Sequence, residues 1–241
     1  MIDRRKTLIF FDIGGVLLSL DYSSFYQAAA DLSSGNLTAD EFKKEYFRLE
    51  LEKKALLGNI TIEDYLKAIQ NIISGHLKNR VPTLEDITEA LKCCWKEEIK
   101  EMVDLKKKLY QQGYTIGIFS NTGALHLQII NQMFPEISQV YDDDYPVILS
   151  FEEHSIKPEA KMYQQITGYD QVILIEDKPS YLKTAIEDFS WQGILLTAYI
   201  DPAEAIRQKS DDQVSLPKEK CLVAESPSDC LEALRKFGIE I

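Results

Sequence analysis

A carboxylate ends the first apolar run of this sequence. The run "LIFF" leads directly to Asp12, and Gly14 and Gly15 follow before the chain becomes apolar again. This pattern is typical of a buried strand that delivers one reactive side chain to a loop, although an acid after a strand is also often a turn residue or a helix cap. A positioned carboxylate can attack phosphorus and form a covalent intermediate. Asp12 is therefore a candidate nucleophile, and the glycine two positions later needs an explanation.

Polar residues also follow three later apolar runs. The run "TIGIFSN" ends in Ser120 and Asn121, "PVILS" ends in Ser150, and "QVILIED" ends in Glu176 and Asp177. Two adjacent acids at the end of a buried strand are costly unless a cation compensates them. The sequence therefore indicates a hydroxyl group and a cation site besides the candidate nucleophile.

Apolar runs and helix-like segments alternate along most of the chain. One such segment is "KEEIKEMVDLKKKLYQQG", which Gly113 is placed to end. This alternation predicts an α/β fold built on a Rossmann-like, doubly wound parallel sheet. Ligands in such folds bind outside the carboxyl ends of the strands. We therefore expect the polar residues that follow the strands, from Asp12 to Asp177, to converge.

The interval between the first two predicted strands is too long for one crossover helix. Residues from about Ser19 to about Trp95, within the interval 19–98, follow an almost continuous amphipathic helical pattern, with capping-type helix starts at Thr38 and Thr61. We interpret this interval as a helical cap domain inserted into an α/β core domain of residues 1–18 and 99–241. The polar residues 201–220 are interpreted as a surface excursion, and their role stays open.

Composition limits the partners and the compartment. The net charge of −12 over 241 residues argues against nucleic acids and anionic membranes, although a local pocket can still bind an anion. No apolar run approaches the roughly 20 residues of a membrane span, and the N-terminus lacks a signal-peptide cleavage pattern. The four cysteines have neither disulfide-framework nor zinc spacing, which predicts reduced thiols and a cytoplasmic protein. The oligomeric state stays open.

Four segments resemble, in order, the four motifs of the haloacid dehalogenase-like (HAD) hydrolase superfamily. They are "FFDIGGVL", "IFSNTGALH", "SIKPEAKMYQQI" and "ILIEDKPSYL". The resemblance covers the core, roughly residues 7–18 and 99–200, whereas the cap agrees only in length and helicity. It is strongest to the capped phosphatases, particularly the sugar-1-phosphate phosphatase branch, in which a glycine also follows the nucleophile by two positions.

The resemblance implies a Mg²⁺-dependent phosphohydrolase that acts on a small phosphorylated metabolite, with a sugar phosphate as the first candidate. Its intermediate would be an aspartyl-phosphate on Asp12. The implied oxygen ligands of Mg²⁺ are the carboxylates of Asp12 and Asp177 and the backbone carbonyl of Gly14. Glu176 would lie either in the first coordination shell or directly behind it.

The resemblance also implies how phosphate is bound. The hydroxyl of Ser120 and the backbone amides of Asn121 and of the turn containing Gly14 and Gly15 would donate to phosphoryl oxygens. Lys157 would pair with both the nucleophile and the phosphate. The implied catalytic residues are therefore the nucleophile, Ser120 and Lys157.

Gly14 departs from the pattern of most of the superfamily, in which an acid at this position protonates the leaving group and activates water. General acid–base catalysis is typically worth about 10²–10⁴-fold in rate. Its loss matters least for good leaving groups, such as anomeric, acyl or aryl oxygens. The sequence leaves open whether His126 or a cap residue replaces the acid; a buried histidine is more often structural.

Two other functions fit parts of this pattern. A non-catalytic relative that binds a phosphate ligand or a partner would explain Gly14, but not the retained Asp12, Lys157 and paired acids. A carbon–halogen hydrolase needs no Mg²⁺, so Glu176 and Asp177 argue against it.

Overall fold

Eight strands form two sheets in the computed structural model, which describes residues 3–76, 81–137, 145–199 and 215–241. The strands are β1 (Thr7–Phe11), β2 (Leu18–Leu20), β3 (Trp95–Glu98), β4 (Thr115–Ser120), β5 (Val147–Leu149), β6 (Gln171–Glu176), β7 (Gln192–Leu196) and β8 (Cys221–Ala224). Six of them form a parallel sheet in the order β5-β4-β1-β6-β7-β8. The predicted α/β fold with a doubly wound parallel sheet is confirmed.

Helices connect the strands. Five lie between β2 and β3: α1 (Tyr22–Asp31), α2 (Ala39–Arg48), α3 (Leu51–Leu56), α4 (Ile62–Ser74) and α5 (Leu84–Lys92). The others are α6 (Lys100–Gln111), α7 (Ala124–Met133), α8 (Ser150–Glu153), α9 (Ala160–Tyr163), α10 (Pro179–Glu187) and α11 (Pro227–Lys236), after a short 3₁₀ turn at Arg4–Lys6. The side chains of Thr38 and Thr61 cap α2 and α4, as their spacing predicts.

Strand β1 lies at the centre of the sheet, and its alternate side chains face two apolar clusters. Ile9 and Phe11 belong to one cluster, and Leu8 and Phe10 belong to the other. All four are fully buried, which explains why the run is apolar without alternation. The parallel neighbours β4 and β6 hold β1 on both sides, so the residue that follows β1 has a fixed position.

A second, antiparallel sheet of two strands joins the helical segment to the core. In this sheet β2 pairs with β3, with Leu18 opposite Glu98 and Leu20 opposite Trp95. The prediction that helix extends from Lys96 is therefore wrong, since α6 begins only at Lys100. Backbone pairing and burial of the Trp95 side chain outweigh the helical pattern of these few residues.

The division into a core of residues 1–18 and 99–241 and a cap of residues 19–98 remains a prediction. One apolar cluster contains residues of both parts, for example Phe11 of β1 and Phe25 of α1. Residues 201–214 of the predicted surface excursion lie outside the described residues. Within the described ranges, no helix has the length and apolar character that a membrane span requires. All four cysteines are free thiols, and the cytoplasmic location remains a prediction.

Candidate active site

Asp12 lies at the carboxyl end of β1 and is 7% exposed. Its backbone N–H donates to the carbonyl of Ile175 at 3.1 Å, which continues the pairing of β1 with β6. The ammonium of Lys157 lies 3.2 Å from Oδ1 of Asp12. Within the described residues this oxygen accepts no hydrogen bond, so it is held by charge alone. A buried carboxylate oxygen without a hydrogen bond is costly unless a charge compensates it, and Lys157 supplies that charge.

Lys157 is buried next to Asp12, and its ammonium contacts three oxygen atoms. Its ammonium lies 2.5 Å from Oε2 of Glu176 and donates to the carbonyl of Phe119 at 2.9 Å. Burial acts to lower the pKa of Lys157, but the charges of Asp12 and Glu176 outweigh it and raise the pKa above the ordinary value of a lysine. Lys157 therefore remains a cation next to the candidate nucleophile.

Asn121 holds the backbone of Lys157. The Oδ1 atom of Asn121 accepts from the N–H of Lys157 at 2.8 Å, and its Nδ2 atom donates to the carbonyl of Lys157 at 3.1 Å. The same Nδ2 atom lies 3.2 Å from the hydroxyl of Tyr181. The sequence predicts only a phosphate contact for the Asn121 amide, and nothing in it indicates this side-chain clamp between two distant segments.

Glu176 uses both carboxylate oxygens within the protein. Its Oε1 atom accepts from the backbone N–H groups of Asp177 at 3.0 Å and Lys178 at 3.1 Å, while Oε2 binds Lys157. Burial raises the pKa of Glu176 to about 7, against the charge of Lys157, which lowers it. The sequence leaves open whether Glu176 would ligate Mg²⁺ directly or lie behind the ligands. Because both of its oxygens already accept hydrogen bonds within the protein, the position behind the ligands is favoured.

Asp12, Glu176 and Asp177 form a buried cluster of carboxylates. One oxygen of each lies within 4.8 Å of the others. Burial raises the pKa of Asp12 to about 6 and also raises the pKa of Asp177. Lys157 compensates part of this negative charge, and Lys178 also acts on Asp177, but three carboxylates still outnumber these two cations. A divalent cation with a preference for oxygen ligands fits both this charge and this donor set.

Gly15 allows the turn that follows β1 to approach Asp177. Its φ is +72°, and a β-carbon at this position would lie 2.6 Å from Oδ2 of Asp177. Any other residue would therefore fill the space in front of that carboxylate and strain the backbone. This turn and Asp177 together form a cradle next to Asp12.

The loop after β4 brings Ser120 to the same edge of the sheet. Ser120 is buried, and its hydrogen bond to Asp12 acts to lower the pKa of that carboxyl, against the larger effect of burial. Ser150, which is expected to converge with it, instead supports this loop from behind. The Ser150 hydroxyl accepts from the N–H of Thr122 and donates to its carbonyl, each at 3.0 Å. Strand β5 is at the sheet edge, so Ser150 reaches the loop but does not line the cavity.

A cavity of about 100 Å³ lies in front of these groups. A single water needs only about 10–15 Å³ measured in this way, so a small ligand fits. The core contributes Asp12, Ser120 and Asp177 to its wall, together with Gly14 and Gly15. The rest of the wall includes residues of β2, β3 and the segment between them: Leu20, Tyr22, Phe25, Glu52, Leu56, Leu91, Cys94 and Trp95.

Solved structures of other proteins share this architecture. No protein-family model matches the chain. It is similar to a HAD family enzyme of Bacteroides thetaiotaomicron, with a TM-score of 0.67 and 21% identity over 83% of this chain and 98% of that one. This chain has the HAD fold. A second structure of that enzyme, in complex with magnesium and inorganic phosphate, matches the HAD fold of this chain with a TM-score of 0.66 and 22% identity, over 83% and 99% of the two chains.

The HAD fold is shared with proteins of different activity. An L-2-haloacid dehalogenase of Xanthobacter autotrophicus matches with a TM-score of 0.56 and 15% identity, over 96% of this chain and 98% of that one. The family resemblance predicted from the four motifs is thus confirmed at the level of the fold. The sugar-1-phosphate phosphatase branch remains a prediction.

A chain of buried polar side chains crosses from the HAD core into the helical segment. Nε2 of His126 lies 3.3 Å from the Tyr65 hydroxyl, which lies 2.7 Å from the Tyr46 hydroxyl, and Tyr46 donates to Glu52. Burial lowers the pKa of His126, so its ring is neutral at pH 7. This is the hydrogen-bonded environment of a structural histidine. Sequence reasoning misses Glu52, because the surrounding residues follow an ordinary amphipathic pattern.

Proposed function

We propose that this protein is a Mg²⁺-dependent phosphohydrolase that acts on a small phosphorylated metabolite through an aspartyl-phosphate on Asp12. The observation that carries the proposal is the environment of Asp12. Its Oδ1 atom makes no hydrogen bond within the described residues and lies 3.2 Å from a buried ammonium, and the residue lines a cavity together with Asp177. The magnesium and phosphate bound by a protein of the same fold support this ligand class.

Asp12 attacks phosphorus with one carboxylate oxygen in the first step. The new bond joins this oxygen to phosphorus, the ester bond to the leaving oxygen breaks, and that oxygen takes up a proton. Lys157 stabilises the negative charge around Asp12, and the Ser120 hydroxyl donates to a phosphoryl oxygen. Water then hydrolyses the acyl phosphate, releases inorganic phosphate and restores the carboxylate.

Bound Mg²⁺ would supply Lewis-acid stabilisation of the phosphoryl charge. Asp12 and Asp177 would hold it, with the backbone carbonyl of Gly14 as a third oxygen. Glu176 would act from behind, because its two oxygens already fix Lys157 and the turn at Asp177. The backbone amides of Gly14, Gly15 and Asn121 remain candidates for binding phosphate.

The absence of a side chain at Gly14 supports a narrower substrate class. No carboxylate at this position can protonate the leaving group, so a leaving oxygen that departs readily is required. We propose sugar-1-phosphates, whose anomeric oxygen meets this requirement. A protein that only binds phosphate would also tolerate Gly14, and the dehalogenase shares the fold. The cluster of three buried carboxylates favours the metal-dependent phosphatase over both.

The test is phosphate release from a panel of metabolite and aryl phosphates, with Mg²⁺ and with a chelator. We expect activity that requires Mg²⁺ and disappears in Asp12→Asn. Tight phosphate binding without turnover of any ester would favour the binding protein. Release of halide from 2-haloacids with no need for Mg²⁺ would favour the dehalogenase.

A further inference from the structure

One carboxylate of the cavity has no part in the proposed phosphoryl transfer. Glu52 of α3 is half-buried and lines the same cavity as Asp12. Tyr46 donates a hydrogen bond to its Oε2 atom. Across the described ranges, no lysine, arginine or histidine forms an ion pair with Glu52. A charged group that faces a cavity without a counter-ion is a binding group for a ligand that carries one.

The hydrogen bonds that link His126, Tyr65 and Tyr46 all donate in the direction of Glu52. A carboxylate only accepts, so Tyr46 uses its single proton on Glu52 and must accept from Tyr65 at 2.7 Å. Tyr65 has then used its own proton and accepts from His126, whose Nε2 atom carries a hydrogen. Tyr46 and Tyr65 are each 1% exposed. This aligned chain of hydrogen bonds therefore holds the Glu52 side chain in a fixed orientation.

Aromatic rings surround the space in front of Glu52. Tyr22, Phe25 and Trp95 line the same cavity. Ring faces and a carboxylate both attract cations, and both repel a phosphate group. Among the described residues that line the cavity, Lys178 is the one cation with a fixed charge, and it directly follows Asp177 at the core end. With Mg²⁺ bound as proposed, the core end of the cavity would bind an anion, whereas the Glu52 end would bind a cation.

We propose that Glu52 binds a protonated amine on the leaving part of the substrate. The substrate class is then a small phosphate ester that carries an ammonium group, such as the 1-phosphate of an amino sugar. The inference rests on the proposed phosphohydrolase function and specifies its substrate. Such a zwitterion matches both ends of the cavity, whereas a neutral sugar phosphate leaves Glu52 without its charge partner.

The test compares two esters that differ only in the amine, glucosamine 1-phosphate and glucose 1-phosphate, in the presence of Mg²⁺. We expect the wild type to have a kcat/KM for the amine ester that is higher by about tenfold or more. Glu52→Gln keeps an oxygen that accepts from Tyr46 but removes the charge. It should lower kcat/KM for the amine ester about tenfold and change that for glucose 1-phosphate less than about threefold. Glu63→Gln, an exposed charge change on α4 outside the cavity, is the matched control.

Equal kcat/KM values for the two esters in the wild type would overturn the inference, and so would an equal loss for both in Glu52→Gln. Calorimetric binding of the same two esters to Asp12→Asn separates this failure from that of the proposed function. A preference for the amine ester that depends on Glu52, without turnover of any ester by the wild type, would support the inference and refute the phosphohydrolase. Turnover of aryl phosphates with no amine preference in rate or binding would support the phosphohydrolase and refute the inference.

Discussion

The side chain of Leu20 lies directly over Gly14. A β-carbon added to Gly14 would lie 2.6 Å from Cδ1 of Leu20 and 3.6 Å from its Cγ. Carbon atoms in contact are normally about 3.5–4.0 Å apart, so residue 14 accepts a side chain only if Leu20 moves. Both residues line the cavity next to Asp12. Hydrocarbon therefore occupies the space from which an acid at position 14 would reach the leaving group.

The first prediction is that rates fall steeply as the leaving group becomes more basic. Without an acid at Gly14, the leaving oxygen departs largely unassisted, so esters of high leaving-group pKa react slowly. Sugar-1-phosphates should be hydrolysed faster than the corresponding sugar-6-phosphates. The measurement is kcat/KM across a series of phosphate esters with the wild type. A flat series would show that another group, such as His126, supplies the proton.

The second prediction is that Gly14→Asp acts fully only with a second change. In the single variant the Leu20 side chain must move to make room, so we expect a smaller effect than in the double variant. In Gly14→Asp with Leu20→Ala, the leaving-group dependence should become flatter, because a carboxylate then has room to donate a proton. Leu20→Ala alone is the control and should keep the steep dependence. Equal slopes in all four proteins would contradict this explanation.

The third prediction concerns Asp177. Asp177→Asn replaces a buried anionic oxygen ligand with a neutral amide, so the half-saturating Mg²⁺ concentration should rise about tenfold or more. The measurement is a Mg²⁺ titration of aryl phosphate hydrolysis, with thermal unfolding as a check on the fold. Asp188→Asn, an exposed acid at the end of α10, should titrate like the wild type. An unchanged half-saturation in Asp177→Asn would remove it from the metal site.

The fourth prediction follows from the raised pKa values of the carboxylate cluster. The pKa is raised from 3.8 to about 6 for Asp12 and from 4.5 to about 7 for Glu176, mainly by burial. At a pH between the ordinary pKa and the raised pKa of each group, the folded protein holds a proton that the unfolded chain has lost. The free energy of unfolding from these groups therefore falls as the pH rises from about 4 to about 7.

Mg²⁺ should reverse this loss, since it compensates the same charges. We expect the increase in melting temperature on adding Mg²⁺ to be larger at about pH 8 than at about pH 5. Thermal unfolding of the wild type and of Asp12→Asn, with and without Mg²⁺, measures this contribution. An increase that is equal at both pH values, or larger at the lower one, would argue against the assigned cluster.

The sheet and the identity of its polar end residues were predictable from sequence. Runs such as that of β1 are apolar on both faces because both faces are covered, and that pattern is local. The spacing of Asp12 from Gly15 likewise reflects a local turn. The pairing of β2 with β3 was not predictable, because it joins two short segments that are more than 70 residues apart.

The polar interior of the site was predictable only in part. Lys157 stands out because it precedes a proline within a motif, but the clamp by Asn121 depends on the distance between two loops. Glu52 and Tyr46 gave no signal, since a tyrosine on the apolar face of a helix normally belongs to the core. Their hydrogen bond exists only because α2 and α3 pack against each other.

The phosphorylation state of Asp12 during turnover tests the central claim most directly. The wild type is mixed with an aryl phosphate and Mg²⁺, quenched in acid within the first turnovers and digested for mass spectrometry. We predict one added phosphoryl group on the peptide that contains Asp12, with accumulation favoured because Gly14 cannot activate water in the second step. Product formation without phosphoryl transfer to Asp12, or with the label on another residue, would contradict the account.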